Sequence, residues 1–262
     1  MKKLMYLVPV AFALLIAACG GGGSEGENAA STETPASAAP SAPAVDPATA
    51  GNITGKVTLE GAPPAAEPIQ MAADPNCARL HTSPVMTEFV VVGEGGSLAN
   101  AFVHVKSGLE GKEFPVPSEP VVLDQNGCQY VPHVMGIQVG QTLQILNSDE
   151  TLHNIHAMPK NNKEFNIGQP VKGLKTDKVF DAVEVMVPFK CDVHKWMNSY
   201  AGVVDHPFYA VTGTDGTFTL DGVPPGDYVV EVWHERLGTK EMNVTVPEKG
   251  TAEANFTLTA AQ

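Results

Sequence analysis

Cys191, His194 and Met197 fall within one run of seven residues, Cys-Asp-Val-His-Lys-Trp-Met. Thiolate, imidazole and thioether are soft donors, and together at Cys-x-x-His-x-x-Met spacing they suit copper better than the hard, oxygen-seeking ions. Upstream, Val183, Val185, Val187 and Phe189 alternate with Glu184, Met186, Pro188 and Lys190. This period of two places Cys191 at the end of a strand, in register with its buried face. A mononuclear site on this loop still lacks one histidine, which a distant strand has to supply. The candidate is His153, followed by Asn154 and preceded by the strand-like Leu143-Gln-Ile-Leu-Asn147.

These residues closely resemble the cupredoxin family, plastocyanin and amicyanin in particular. In that family a strand running into an Asn is followed six residues later by the first ligand His, and an Asn after it braces the ligand loop. Asn147, His153 and Asn154 occupy those places, and the 38-residue step to Cys191 is similar to the family's. The family's opening pattern is matched by Tyr130-Val-Pro132, Ile137-Gln-Val139 and Gly140, and the loop spacing is the short form found in amicyanin. The resemblance spans 118–205. It implies one type 1 copper ion held by His153, Cys191, His194 and Met197, with Asn154 as brace. A trigonal His₂Cys plane with a long axial Met lies close to the preferences of both Cu(I) and Cu(II), so little moves when an electron does. Two positions depart from the pattern. Asp192 stands where a small hydroxyl residue often follows the Cys, bringing negative charge near the metal and bearing on the Asn154 brace. Trp196 replaces a smaller residue before the Met; it is either a core aromatic or part of an apolar docking patch around an exposed His194 edge, through which electrons would leave.

Other candidates have plainer readings. His156 falls on the opposite strand face from His153, and His81, His133, Met135, His206 and His234 are scattered enough for separate structural or surface roles rather than a second copper site. With Cys191 given to metal and Cys19 to lipid, Cys77 and Cys128 remain. In an exported protein such a pair suggests a disulfide; left reduced, the two would be soft copper ligands themselves.

The elements that must position these residues are strands. Beyond residue 50 the apolar period is two, as in Val57/Leu59, Val103/Val105, Phe218/Leu220 and Phe256/Leu258, bounded by Gly, Pro, Asn and Asp. No helical stretch competes, so the expected fold is all-β, two Greek-key sandwiches. Near the C-terminus, Asp215-Gly216 reads as a hairpin turn and Pro224-Pro225-Gly226 as a second turn. That segment resembles the transthyretin-like, carboxypeptidase regulatory-type domain, whose opening strands have counterparts far upstream in Gly55–Gly61 and Leu98–Val105. One sandwich from 51–112 and 206–262, interrupted by a cupredoxin-like domain at 118–205, is therefore expected.

At the N-terminus, Lys2 and Lys3 precede an apolar stretch ending Ile16-Ala17-Ala18-Cys19. This pattern fits a signal peptide over 1–18 and resembles the bacterial lipobox, at which the cysteine is diacylated; two acyl chains anchor stably. Residues 19–50, rich in Gly, Ser, Ala and Pro, read as a flexible tether. The expected location is the cell envelope, on the periplasmic face of the inner or outer membrane or at the cell surface, with membrane contact only through the lipid. Net charge −13 has the wrong sign for nucleic acid. No catalytic acid–base pair or nucleophile accompanies the copper motif, so an electron carrier rather than an enzyme is expected. Its partner would be another redox protein: a cytochrome, a dehydrogenase or an oxidase. The alternatives are copper delivery or storage on the same ligands, and a non-redox binding module.

Overall fold

The computed structural model describes residues 45–260. The expected signal peptide, the lipidation site Cys19 and most of the tether lie outside the described residues. Just before the first strand, the Asp46 carboxylate accepts the Ala48 N–H, and the Thr49 carbonyl accepts the Lys249 N–H.

The described chain is all-β, with seventeen strands and a single one-turn α-helix. Four sheets stack in two sandwiches. In the first, β1 (Gly51–Glu60) runs between β13 (Thr217–Val223) and β16 (Thr251–Glu253), and also pairs with β17 (Phe256–Thr259). The facing sheet is β12 (Tyr209–Val211), β2 (Phe102–Ser107), β14 (Gly226–His234) and β15 (Gly238–Val246). Their inward residues, among them Ile53, Val57, Val103, Val105, Leu220, Val230, Val232 and Phe256, form one core. The strands flanking this sandwich's start thus pair with strands beyond residue 206.

Strands between 121 and 204 pair among themselves. One sheet is β4 (Gln129–Val131), β3 (Val121–Asn126), β6 (Thr142–Asn147) and β9 (Lys175–Val179). The other is β5 (Val134–Gln138), β11 (Asn198–Val204), β10 (Glu184–Lys190), β7 (His153–Ala157) and β8 (Phe165–Gln169). Leu123, Ile137, Leu143, Ile145, Ile155, Val187 and Phe189 fill the space between them. The simple alternation expected along β10 fails at its start. A register shift between Glu184 and Val187 breaks the period, leaving Val183 exposed and Glu184 buried. The Glu184 carboxylate accepts the backbone N–H groups of Lys160, Asn161 and Asn162, which compensates its burial.

The two sandwiches meet through Phe102, Val134 and Val204, with Tyr200, Tyr209 and Trp233 packed around them. Glycine makes this approach possible. Gly136 and Gly202 are neighbours across β5 and β11. A Cβ at Gly202 would stand 2.3 Å from the Phe102 ring, and one at Gly136 would stand 2.2 Å from Tyr209. Between β1 and β2 the chain leaves the first sandwich as a long strap. It carries the short helix α1 (Pro75–Ala78) and is tied by a Cys77–Cys128 disulfide to the β3–β4 turn.

Gly202→Ala is expected to cost about 1–3 kcal/mol through overpacking against Phe102, read as a lower denaturant midpoint of the metal-free protein. A second expectation concerns pH. Burial holds His206 and His234 down at about 4, against about 6.5 in an unfolded chain. As pH falls below about 6.5 the unfolded chain takes up protons that the folded one refuses, so this stability is complete above that pH and is lost below it. Between pH 7.5 and pH 5, His206→Gln should lose less melting temperature than the wild type.

Candidate metal centre

His153 opens β7 and is fully buried; Asn154 follows it on the same strand. Cys191 follows Lys190, the last residue of β10, and the Cys191–Met197 loop turns the chain into β11. The loop is closed from within: the Cys191 N–H donates to the Met197 carbonyl at 3.1 Å, and the Met197 N–H to the His194 carbonyl at 2.9 Å.

Three of the four expected ligands converge in the interior. His153 Nδ1 and His194 Nδ1 are 2.9 Å apart, and Cys191 Sγ lies 3.8 Å from His194 Nδ1. Met197 is buried in the same core beside Trp196, which is half-buried. The His194 N–H also donates to Cys191 Sγ at 3.3 Å. Asn154 ties the loop to β7. Its Oδ1 accepts the Asp192 N–H at 2.7 Å and the Val193 N–H at 3.3 Å, and lies 3.3 Å from Cys191 Sγ. Asp192 turns its carboxylate to the surface, toward Asn166, His156 and Lys190. Hydrogen bonds from Asn166 and Lys190 hold that carboxyl at about 2.

The outer nitrogens of both imidazoles face carboxylates. His153 Nε2 lies 2.9 Å from Asp149 Oδ2, and His194 Nε2 lies 3.0 Å from Asp74 Oδ2. Asp149 also accepts the Gly127 and Cys128 backbone N–H groups. Those bonds and His153 outweigh its burial and hold it below the usual carboxylate range. Asp74 is lowered chiefly by the His194 hydrogen bond. Ionised carboxylates only accept, so both Nε2 atoms carry hydrogen and donate. The two Nδ1 atoms, the nitrogens left for a ligand or a shared proton, therefore face each other across 2.9 Å beside a buried sulfur. Burial pushes the Cys191 thiol up, yet His153 and His194 bring it down to about 6. Two facing ring nitrogens beside a thiolate favour a positive charge between them. A proton meets that need in the metal-free protein, and the soft N₂S set fits a copper ion.

One expectation is overturned. His194 presents no exposed edge: it is 2% exposed, covered by Asp74 and the helix-bearing strap. Trp196 donates its Nε1–H to the Cys128 carbonyl at 2.9 Å and stands 5.1 Å from the His194 ring, packed over the disulfide turn. The Cys77 and Cys128 sulfurs lie within 4.8 Å of a His194 nitrogen but are joined to each other, which leaves neither as a thiolate ligand. Asp74 and Asp149 escaped the sequence reading. For Asp74 a cue existed, since Asp followed by Pro is an N-cap and first-turn signature; for Asp149 there was none.

Residues 202–259 match the model of the carboxypeptidase regulatory-like domain. Among solved structures the chain is similar to a copper-containing nitrite reductase from Thermus scotoductus, with 18% identity and TM-score 0.32 over 38% of this chain and 25% of that one. It is similar also to a reduced mutant of amicyanin, with 21% identity and TM-score 0.29 over 34% of this chain and 85% of that one. A purple cupredoxin from Nitrosopumilus maritimus shows 23% identity and TM-score 0.28 over 33% and 99%. No curated protein matches the chain.

Asn154→Ala should loosen the loop by removing the shared acceptor of two backbone N–H groups, at a cost of about 1–3 kcal/mol. A lower melting temperature of the metal-free variant, with Asp192 and Val193 amides exchanging faster, is the expected result.

Proposed function

We propose that this chain binds one copper ion at His153, Cys191, His194 and Met197 and carries single electrons between redox proteins of the cell envelope, anchored there by lipid at Cys19. The observation that carries the reading is the convergence of His153 Nδ1 and His194 Nδ1, 2.9 Å apart, on the buried Cys191 sulfur 3.8 Å from His194 Nδ1. Bound copper would supply a one-electron couple. The protein supplies what makes such a couple fast. Asp149 and Asp74 fix the imidazole tautomers, so the donor atoms are set before metal arrives. The N–H of His194 hydrogen-bonds the sulfur, and the two packed sheets keep water out. Because Cys191, His153 and His194 are all buried and braced, their positions have little freedom to change with the charge between them.

The net charge of −13 favours a partner with a basic docking face, with association slowing as salt rises. Cys191 and its imidazole neighbours are buried out of reach of a substrate, which favours a carrier over an enzyme.

Copper reconstitution of the soluble fragment starting at residue 45 tests this. The oxidised protein should be intensely blue, show a reversible one-electron wave in voltammetry, and lose its colour in Cys191→Ser. A colourless copper complex, or irreversible voltammetry with tight Cu(I) retention, would turn the reading toward storage or delivery.

A further inference from the structure

We propose that Asp74 is a positioning residue of the metal centre, held on His194 by the Cys77–Cys128 disulfide, so that the strap of one sandwich tunes the metal held by the other. The proposal rests on the copper reading above and deepens it.

His194 uses its two ring nitrogens differently. Nδ1 faces Cys191 and His153, and Nε2 donates to Asp74 Oδ2 at 3.0 Å. Which nitrogen of an imidazole carries hydrogen is set by the bond the other one makes, so an ionised acceptor at Nε2 leaves the Nδ1 lone pair free for the metal. Asp74 is itself fixed. Its Oδ1 accepts the Asn76 N–H at 2.7 Å as the N-cap of α1, and Oδ2, turned inward, lies 3.4 Å from the Thr151 hydroxyl. Three residues on, Cys77 is bonded to Cys128, whose own N–H donates to the Asp149 carboxylate that receives His153. The disulfide therefore joins the two carboxylate–imidazole pairs into one frame. Trp196 closes it, donating to the Cys128 carbonyl.

A carboxylate on the outer nitrogen makes the imidazole a stronger donor. Its negative charge also favours the more highly charged oxidised ion over the reduced one. Asp74 thereby lowers the potential of the bound metal. A plain capping role would do neither, and this separates the two readings: Asn caps a helix as well as Asp but carries no charge.

Three measurements test the proposal. In the metal-free protein at pH 8, nitrogen-15 NMR should find His194 as the Nε2–H tautomer in the wild type and as a mixture in Asp74→Ala. In the copper-loaded protein, Asp74→Asn should shift the Cu(II)/Cu(I) preference about tenfold toward Cu(I), a rise of about 59 mV for one electron. Cys77→Ser/Cys128→Ser should shift it in the same direction and speed removal of Cu(I) by a chelator. An unchanged potential in Asp74→Asn, with a reversible wild-type couple, overturns the role of Asp74. A wild-type potential and chelator rate in the folded double serine variant overturn the role of the disulfide; if that variant does not fold, reducing the disulfide in the wild-type protein gives the same comparison. Failure of the wild type to bind copper, with the tautomer still lost in Asp74→Ala, would sink the copper reading and leave the positioning intact.

Discussion

Two imidazoles buried with their outer hydrogens committed to carboxylates leave their inner lone pairs 2.9 Å apart. This is an electrostatic conflict that folding alone does not relieve. A positive charge shared between them relieves it, and the surrounding structure holds the two rings face to face rather than letting them turn away. β7 presents His153 at its first residue, the Cys191–Met197 loop folds back on itself to present His194, and Asn154 ties that loop to β7 through two backbone N–H groups. The sulfur, brought down to about 6 by the same histidines against its burial, adds negative charge to the pocket.

The two carboxylates have different origins. Asp149 lies four residues before its histidine, whereas Asp74 comes from the connection between β1 and β2 of the other sandwich. The centre is consequently sensitive to how the two sandwiches are held together. That contact is specific: Gly136 and Gly202 leave a slot without side chains, and Phe102 and Tyr209 fill it. Close packing of this kind resists sliding, because any shift brings ring atoms against backbone.

What the sequence discloses follows the range of each interaction. The Cys191–Met197 loop was legible because three donor types fall within two turns of chain. His153 was legible because a characteristic Asn followed it at a characteristic distance. The all-β fold was legible from alternation, except where the bulge at Glu184 broke the period. Asp74 and the buried state of His194 were not. They depend on a segment without periodicity, joined to the site by one disulfide and one hydrogen bond across 120 residues. The transthyretin-like resemblance of the C-terminal strands was local and visible, and the family match at 202–259 covers the same stretch. The strap between Gly61 and Ser97 offered only the brief cue of Asp74-Pro75, too short to stand out against a chain with 21 prolines.

The pairing of β1 with β13, β16 and β17 has a consequence for the order of assembly. A chain made from its N-terminus exposes β1 and β2 long before their partners exist, and contacts of such separation in sequence form late. The strands from 121 to 204 find all their sheet partners within that stretch, so His153, His194 and Cys191 can come together while the sandwich that carries Asp74 still waits for its last strands.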